Sequence, residues 1–182
     1  MNVARLAIPE VLLVTPAVHG DARGYFMEVW HADRYAAAGL NAAFVQDNQS
    51  GSSQGVLRGL HYQVEHPQGK LVRAVSGEIF DVAVDLRRSS ATFGQWVGAR
   101  LSAENRHQMY VPPGFAHGFL VLSERAEVAY KCTDFYFPEH ERTLLWNDPV
   151  VGIDWPLPTG IVPTLSDKDR SGRFLREAEV YP

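Results

Sequence analysis

The clearest hydrophobic rhythm in the chain is the stretch "IFDVAVDL", residues 79–86. Phe80, Val82, Val84 and Leu86 fall on one side and Ile79, Asp81, Ala83 and Asp85 on the other, which is the two-residue period of a β-strand. Further strands are expected at "GVLRGLHYQ", "EVLLVTP", "GYFMEVW", "KLVRAVSG", "QWVGARLS", "HQMYVPP", "HGFLVLS" and "AEVAYKCTDFY", with Gly, Pro, Ser and Asn punctuating the gaps. One short helix is expected over 34–38, with Asp33 as its N-cap and Gly39 just past its end. A second helix begins near Ser166. About eight to ten short strands with little helix predict an all-β fold, a jelly-roll double-sheet barrel able to hold a pocket between its inner faces. From residue 138 the rhythm fails. "PEHERTLLWNDPVVGIDWPLPTGIVPTLSDKD" is rich in proline and aromatics, has no core of its own, and reads as an extended wrap over 138–182. Residues 1–182 are therefore expected to form a single domain.

Composition narrows the function. Lys plus Arg is 17 against 21 for Asp plus Glu, a net charge of −4 with no basic block, so no nucleic-acid partner is expected. The single Cys132 excludes an internal disulfide and fits a reducing cytosol, which makes a cytoplasmic location the expectation. The N-terminal "MNVARLAIPEVLLVTP" is broken by Arg5, Pro9 and Glu10, unlike a signal peptide. No other run approaches the ~20 apolar residues of a membrane span, so no membrane association is expected. There is no P-loop and no G-x-G-x-x-G unit to support nucleotide hydrolysis or dinucleotide redox chemistry.

The stretch "GVLRGLHYQ", 55–63, puts ionisable groups where a core strand needs none. Arg58 and His61 lie three apart, so a regular strand sends them to opposite faces; a bulge at Gly59 would bring both to one pocket. Metal binding would need two or three close His or carboxylate ligands. Gln63 stands where a second ligand belongs, Glu65 and His66 adjoin a turn at Pro67–Gly69, and His117 in "PPGFAHGF" is distant, so no metal is expected. Proton transfer suits these residues better. It needs a base, a cation for the enolate oxygen, and a second acid on the opposite face. His61 can be the base. Tyr130 shares a strand face with Val128 and Cys132, and is either an inward-facing acid or a core tyrosine. Lys70 follows a turn and stabilises an oxyanion if it points inward, or is a solvated hairpin lysine if it does not. Asp169 closes "SDKD", a capping-box pattern from Ser166, and equally could orient the histidine. Arg23 and Arg58 suit bidentate contacts to phosphate.

Several ordered motifs then carry a resemblance: "GDARGYFMEVW", "FVQDNQSGSSQGVLRGLHYQ", "QGKLVRAVSGEIFDVAVDLR", "FGQWVGARLSAENRHQMYVPPGFAHGF", "YKCTDFY" and "WNDPVVGIDWP". From about residue 3 to 170 the chain resembles the dTDP-4-dehydrorhamnose 3,5-epimerase family. The resemblance implies a cupin-type jelly roll, a homodimer, no metal and no organic cofactor, with "PPGFAHGF" as a degraded second cupin motif. It implies 3,5-epimerisation of dTDP-4-dehydro-6-deoxy-D-glucose to dTDP-4-dehydro-L-rhamnose, in dTDP-L-rhamnose biosynthesis. By the same resemblance His61 is the proton acceptor, Asp169 its dyad partner, Tyr130 the proton donor, and Lys70 sits near the C4 oxygen. Alignment on "LS" favours Asp169 over Asp167. Arg23, Glu28, Gln46, Asp47, Asn48, Arg58, His117, Glu141 and Lys168 match positions that bind the nucleotide-sugar, and Tyr136 an aromatic beside the nucleotide. Two other readings stand beside it: a single-centre epimerase of a dTDP-4-keto-deoxysugar, and a non-catalytic sugar-nucleotide-binding barrel.

Overall fold

The computed structural model describes residues 1–157 and 161–182. Thirteen strands and two short α-helices are present among them. A six-stranded sheet runs in the order β1 (Asn2–Arg5), β2 (Leu12–Thr15), β10 (Gln108–Val111), β7 (Lys70–Ser76), β12 (Arg125–Cys132), β5 (Gln46–Ser53). A five-stranded sheet runs β13 (Glu141–Thr143), β6 (Leu57–Gln63), β11 (Phe115–Val121), β8 (Glu78–Asp85), β9 (Trp96–Ser102). β3 (Val18–Asp21) and β4 (Gly24–Met27) pair with each other as a separate hairpin. The two larger sheets face each other as a jelly-roll barrel.

The alternation in β8 explains both of its faces. Ile79 and Ala83 join Val72, Met109, Val111, Phe115 and Val128 in the core between the sheets. Val82, Val84 and Leu86 belong to a second cluster on the outer side of the five-stranded sheet, with Leu57, Leu60 and Leu120. Chain after residue 138 covers that outer cluster with Leu144, Val151, Trp155 and Leu175. Each fully buried leucine in it is stabilised by roughly 1.5–3 kcal/mol relative to exposure. Polar contacts fix the path of the cover. The buried Asp148 carboxylate accepts from the backbone N–H groups of Val150, Val151 and Leu175, and Trp155 Nε1 donates to the Trp146 carbonyl at 2.9 Å. The expected stretch 138–182 includes residues 158–160, which lie outside the described residues.

Two expectations need correction. The first helix, α1, spans Ala32–Ala37 and starts from His31, whose side chain makes no cap. Asp33 therefore lies in the first turn, where its charge complements the helix dipole. What anchors α1 is Tyr35, fully buried, with its hydroxyl donating to the Val29 carbonyl and to Gln108 Oε1. Gly39 does follow the helix, at φ +95°. The strand count is also higher than expected. β5, "QDNQSGSS", has no apolar residue, yet all eight of its positions pair with β12. Its inward side chains face a cavity instead of the core, so no hydrophobic period marks it.

β6 has the expected bulge. His61 pairs with His117 and Arg58 with Phe119, so two residues of β6 oppose the single Gly118 of β11. The strands touch closely here. A Cβ on Gly59, at φ +126°, would lie 2.5 Å from Gly118 Cα and 2.8 Å from the His117 carbonyl oxygen. Gly59→Ala is accordingly expected to destabilise the fold by about 2–3 kcal/mol, since both clashes are with backbone. Urea unfolding measures this, and an unchanged midpoint would contradict the packing described.

Candidate active site

The bulge places Arg58 and His61 on the same wall of a cavity of about 340 Å³ between the sheets. From the six-stranded sheet, β5 contributes Gln46, Asn48 and Ser50; β7 and β12 contribute Lys70 and Tyr130. From the opposite sheet come His117, Phe119 and Glu141, and the loop and helix around them add Tyr136 and Lys168. His61 and Tyr130 thus approach the cavity from opposed walls.

His61 Nε2 lies 2.6 Å from Asp169 Oδ1. Asp169 sits in α2 (Asp167–Arg170) and is itself buried. Both roles expected of it are realised. Ser166 Oγ accepts from the Asp169 N–H as a helix cap and donates to Asp169 Oδ2 at 2.8 Å, leaving Oδ1 for the histidine. Asp167 is exposed and bonds Arg170 instead. Burial pushes the Asp169 carboxyl up, but the hydrogen bonds from His61, Ser166 and the Gly59 backbone outweigh it, and the group is held below its ordinary range. The carboxylate assigns the proton to Nε2, so Nδ1 carries the free lone pair. Burial is also the largest influence on His61, and it lowers its pKa despite the opposing pull of Asp169. A neutral, oriented imidazole is the form that a base requires.

Tyr130 has no hydrogen-bond partner for its hydroxyl among the described residues, unlike a core tyrosine, and burial raises its pKa so that it stays protonated. Lys70 points inward, only 9% exposed, and burial pushes its pKa down against the pull of nearby Cys132, Glu141 and Asp81. Glu141 is clamped by Lys168 at 2.9 Å and by the Tyr136 hydroxyl at 3.0 Å. Gln46 accepts from the Tyr136 N–H and donates to Asn48, tying the aromatic ring's backbone to β5. Among the described residues no group of three or more His, Cys, Asp or Glu could hold a metal ion. The arrangement offers a base, an acid on the facing wall, and a cation on the strand beside the acid's.

Four expected residues do not line this cavity: Asp169 reaches it only through His61, and Asp47, Arg23 and Glu28 lie elsewhere. Asp47 alternates to the other face of β5, where it pairs with Lys131 at 2.9 Å. Arg23 lies on the β3–β4 hairpin, 90% exposed and bonded to Asp21; Glu28 just beyond it pairs with Arg34. Two lining residues were missed, Ser50 and Phe119. Ser50 sits in β5, two positions from Asn48 in the period-two pattern, and only recognising that polar strand would have found it. Asp81, which bonds His117 Nε2 at 2.7 Å from beneath the cavity, was read only as part of an alternation.

The His61 environment has a measurable sign. Its ring is expected to titrate below the ordinary 6.5 in ¹⁵N NMR, and lower still in Asp169→Asn, which removes the group holding it up. Because the folded protein binds this proton less well than the unfolded chain, stability is expected to fall as pH drops below about 6.5. A His61 midpoint above 6.5 would contradict the burial described.

The family described as dTDP-4-dehydrorhamnose 3,5-epimerase matches residues 5–177. A curated relative of that name from Pseudomonas aeruginosa is 60% identical over 100% of both chains. The crystal structure of a dTDP-6-deoxy-D-glucose-3,5-epimerase from Legionella pneumophila, in complex with dTDP-4-keto-L-rhamnose, superposes with a TM-score of 0.94 at 50% identity, covering 98% of this chain and 94% of that one. A 3'-monoepimerase from Streptomyces bikiniensis, in complex with dTDP-quinovose, superposes with a TM-score of 0.87 at 35% identity, covering 97% and 88%.

Proposed function

The chain belongs to the dTDP-4-dehydrorhamnose 3,5-epimerase family, and from that membership we propose that it inverts C3 and C5 of dTDP-4-dehydro-6-deoxy-D-glucose. The protein is an isomerase of cupin-type jelly-roll fold, and its product, dTDP-4-dehydro-L-rhamnose, lies on the route to dTDP-L-rhamnose. The observation that carries the mechanism is the opposition of His61 and Tyr130 across one cavity.

The C4 ketone acidifies the protons on C3 and C5. His61 Nδ1 takes one of them, the electron pair moves onto the C4 oxygen, and Lys70 holds that oxyanion. Tyr130 returns a proton to the same carbon from the opposite face, which inverts it. Asp169 keeps the imidazole in the required tautomer and stabilises the imidazolium. Once His61 has released its proton to solvent and Tyr130 has taken one up, the second carbon reacts in the same way. Arg58, Gln46, Asn48, His117, Glu141 and Lys168 hold the nucleotide-sugar, and the half-exposed Tyr136 ring lies beside the base. Residues 1–182 act as one domain, with 138–157 and 161–182 covering the barrel and delivering Asp169 and Lys168. The single cysteine, Cys132, suits a reducing compartment and supports a cytoplasmic enzyme.

Deuterium entry from heavy water, followed by proton NMR, is expected at both C3 and C5, with L-configured product trapped by a coupled reductase. Exchange at one carbon alone would favour the single-centre reading, which the Streptomyces likeness keeps in view. His61→Ala is expected to lose exchange by about 10²–10⁴-fold. Tyr130→Phe is expected to retain exchange while losing inverted product; unchanged yield would remove Tyr130 from the donor role.

A homodimer accounts for Arg23. The β3–β4 hairpin pairs only with itself, exposes Tyr25 and Phe26, and holds Arg23 away from the cavity of its own chain. Docked on a second copy, it would bring that arginine to the diphosphate. Sedimentation velocity is expected to give a dimer, and Arg23→Ala to raise KM about ten- to hundredfold, the worth of a charged hydrogen bond. A monomer with full activity would overturn this.

A further inference from the structure

Beneath the cavity lies a carboxylate that the mechanism above does not use. Asp81 projects from β8 into the barrel interior, on the same face as Ile79 and Ala83, and is completely buried. Its Oδ1 is 2.7 Å from His117 Nε2. Its Oδ2 has no partner, and it is the sole carboxylate oxygen among the described residues that is buried and unpartnered. Across the same interior, Lys70 projects from β7 in the opposite sheet, and its ammonium has no hydrogen bond among the described residues. A buried ammonium and a buried carboxylate oxygen, neither in a direct ion pair, each carry a desolvation cost that an opposite charge in the same interior offsets.

We propose that Asp81 is the positioning residue that keeps Lys70 charged: its carboxylate is the interior counter-ion for the ammonium and, through His117, is locked in place beneath the C4 oxygen of the sugar. The proposal rests on the reading of Lys70 as holder of the oxyanion. The other groups facing Lys70 do not fill this role. Cys132 on β12 is a buried thiol whose own pKa is pushed up. Glu141 on β13 is already bonded twice by Lys168 and once by Tyr136. Lys168 and a protonated His61 repel the ammonium. Burial drives the Asp81 carboxyl up, against the pull of His117 and then of Lys70, and drives the Lys70 ammonium down, against the pull of Cys132, Glu141 and Asp81.

The chain contains three lysines, Lys70, Lys131 and Lys168, so lysine labelled with ¹³C at Cε gives a spectrum simple enough to titrate, with Lys70 assigned by its loss in Lys70→Arg. In the unmodified protein the Lys70 signal is expected to stay in its charged form at pH 7.5. In Asp81→Asn its midpoint is expected to fall by roughly one unit or more. The alkaline limb of kcat for C3 and C5 exchange should move down with it, with a loss of about 10²–10³-fold above the new midpoint. A merely structural Asp81 would lower activity without moving the Lys70 midpoint. A midpoint that stays put in Asp81→Asn, or that moves while the alkaline limb does not, overturns the proposal. Should Asp81→Asn not fold, the unmodified protein decides: a Lys70 already neutral at pH 7 overturns it, and a charged one supports it. The titration needs no substrate, so its failure is distinct from a failure of the epimerase reading, which shows as absent exchange in the unmodified enzyme.

Discussion

The hydrogen bond between His61 and Asp169 joins positions 108 residues apart, and much of the architecture serves to hold it. One partner belongs to a barrel strand and the other to the covering segment, so neither element makes the pair alone. The apolar outer cluster under Leu144, Trp155 and Leu175 therefore has a role beyond stability. It sets where α2 rests against β6. Ser166 then divides the carboxylate, binding one oxygen and leaving the other for the imidazole. A side chain with as little freedom as the buried Asp169 can fix a tautomer, which a mobile surface carboxylate cannot.

The barrel interior is divided along its length. Where β7, β12 and β8 carry Val72, Val128, Ile79 and Ala83, it is dry and close-packed. Where β7 and β12 carry Lys70 and Tyr130, it holds charge and an open cavity, and on β8 the buried Asp81 lies between Ile79 and Ala83, at the boundary of the two. The same period of two serves both regions. Burial in this second region shifts the ionisable groups in directions that suit their use: a neutral imidazole, a protonated phenol and a constrained ammonium. Low dielectric surroundings strengthen each of these interactions and make an unmatched charge correspondingly costly.

How much of this was legible in the sequence depended on whether apolar rhythm marked the element. β8 and β12 were legible because their alternation is written in Val, Ala, Ile and Phe. β5 was not, because its inward positions, Gln46, Asn48 and Ser50, line a cavity and its outward ones face water. The start of α1 was misread because Asp33 looks like a cap, whereas Tyr35 burial places the helix. Residue types and motif likeness pointed to His61, Tyr130, Lys70 and Asp169, and local pattern even suggested the bulge. The sequence carried less about direction: Asp47 matches the same motif as Asn48 yet faces away, and Arg23 belongs to a self-paired hairpin that stands away from the cavity of its own barrel.

The extra residue in β6 has one more consequence, which concerns chain length instead of side-chain identity. Beyond the bulge, every position of the strand has exchanged inside for outside. Removing one residue between Arg58 and His61 would restore a regular ladder with the two side chains two positions apart, both still facing the cavity opposite Phe119 and His117, and Tyr62 still in the outer layer. The extra residue instead hides the site from simple alternation: counted in twos from Arg58, His61 falls on the outer face, although its pairing with His117 places it in the cavity.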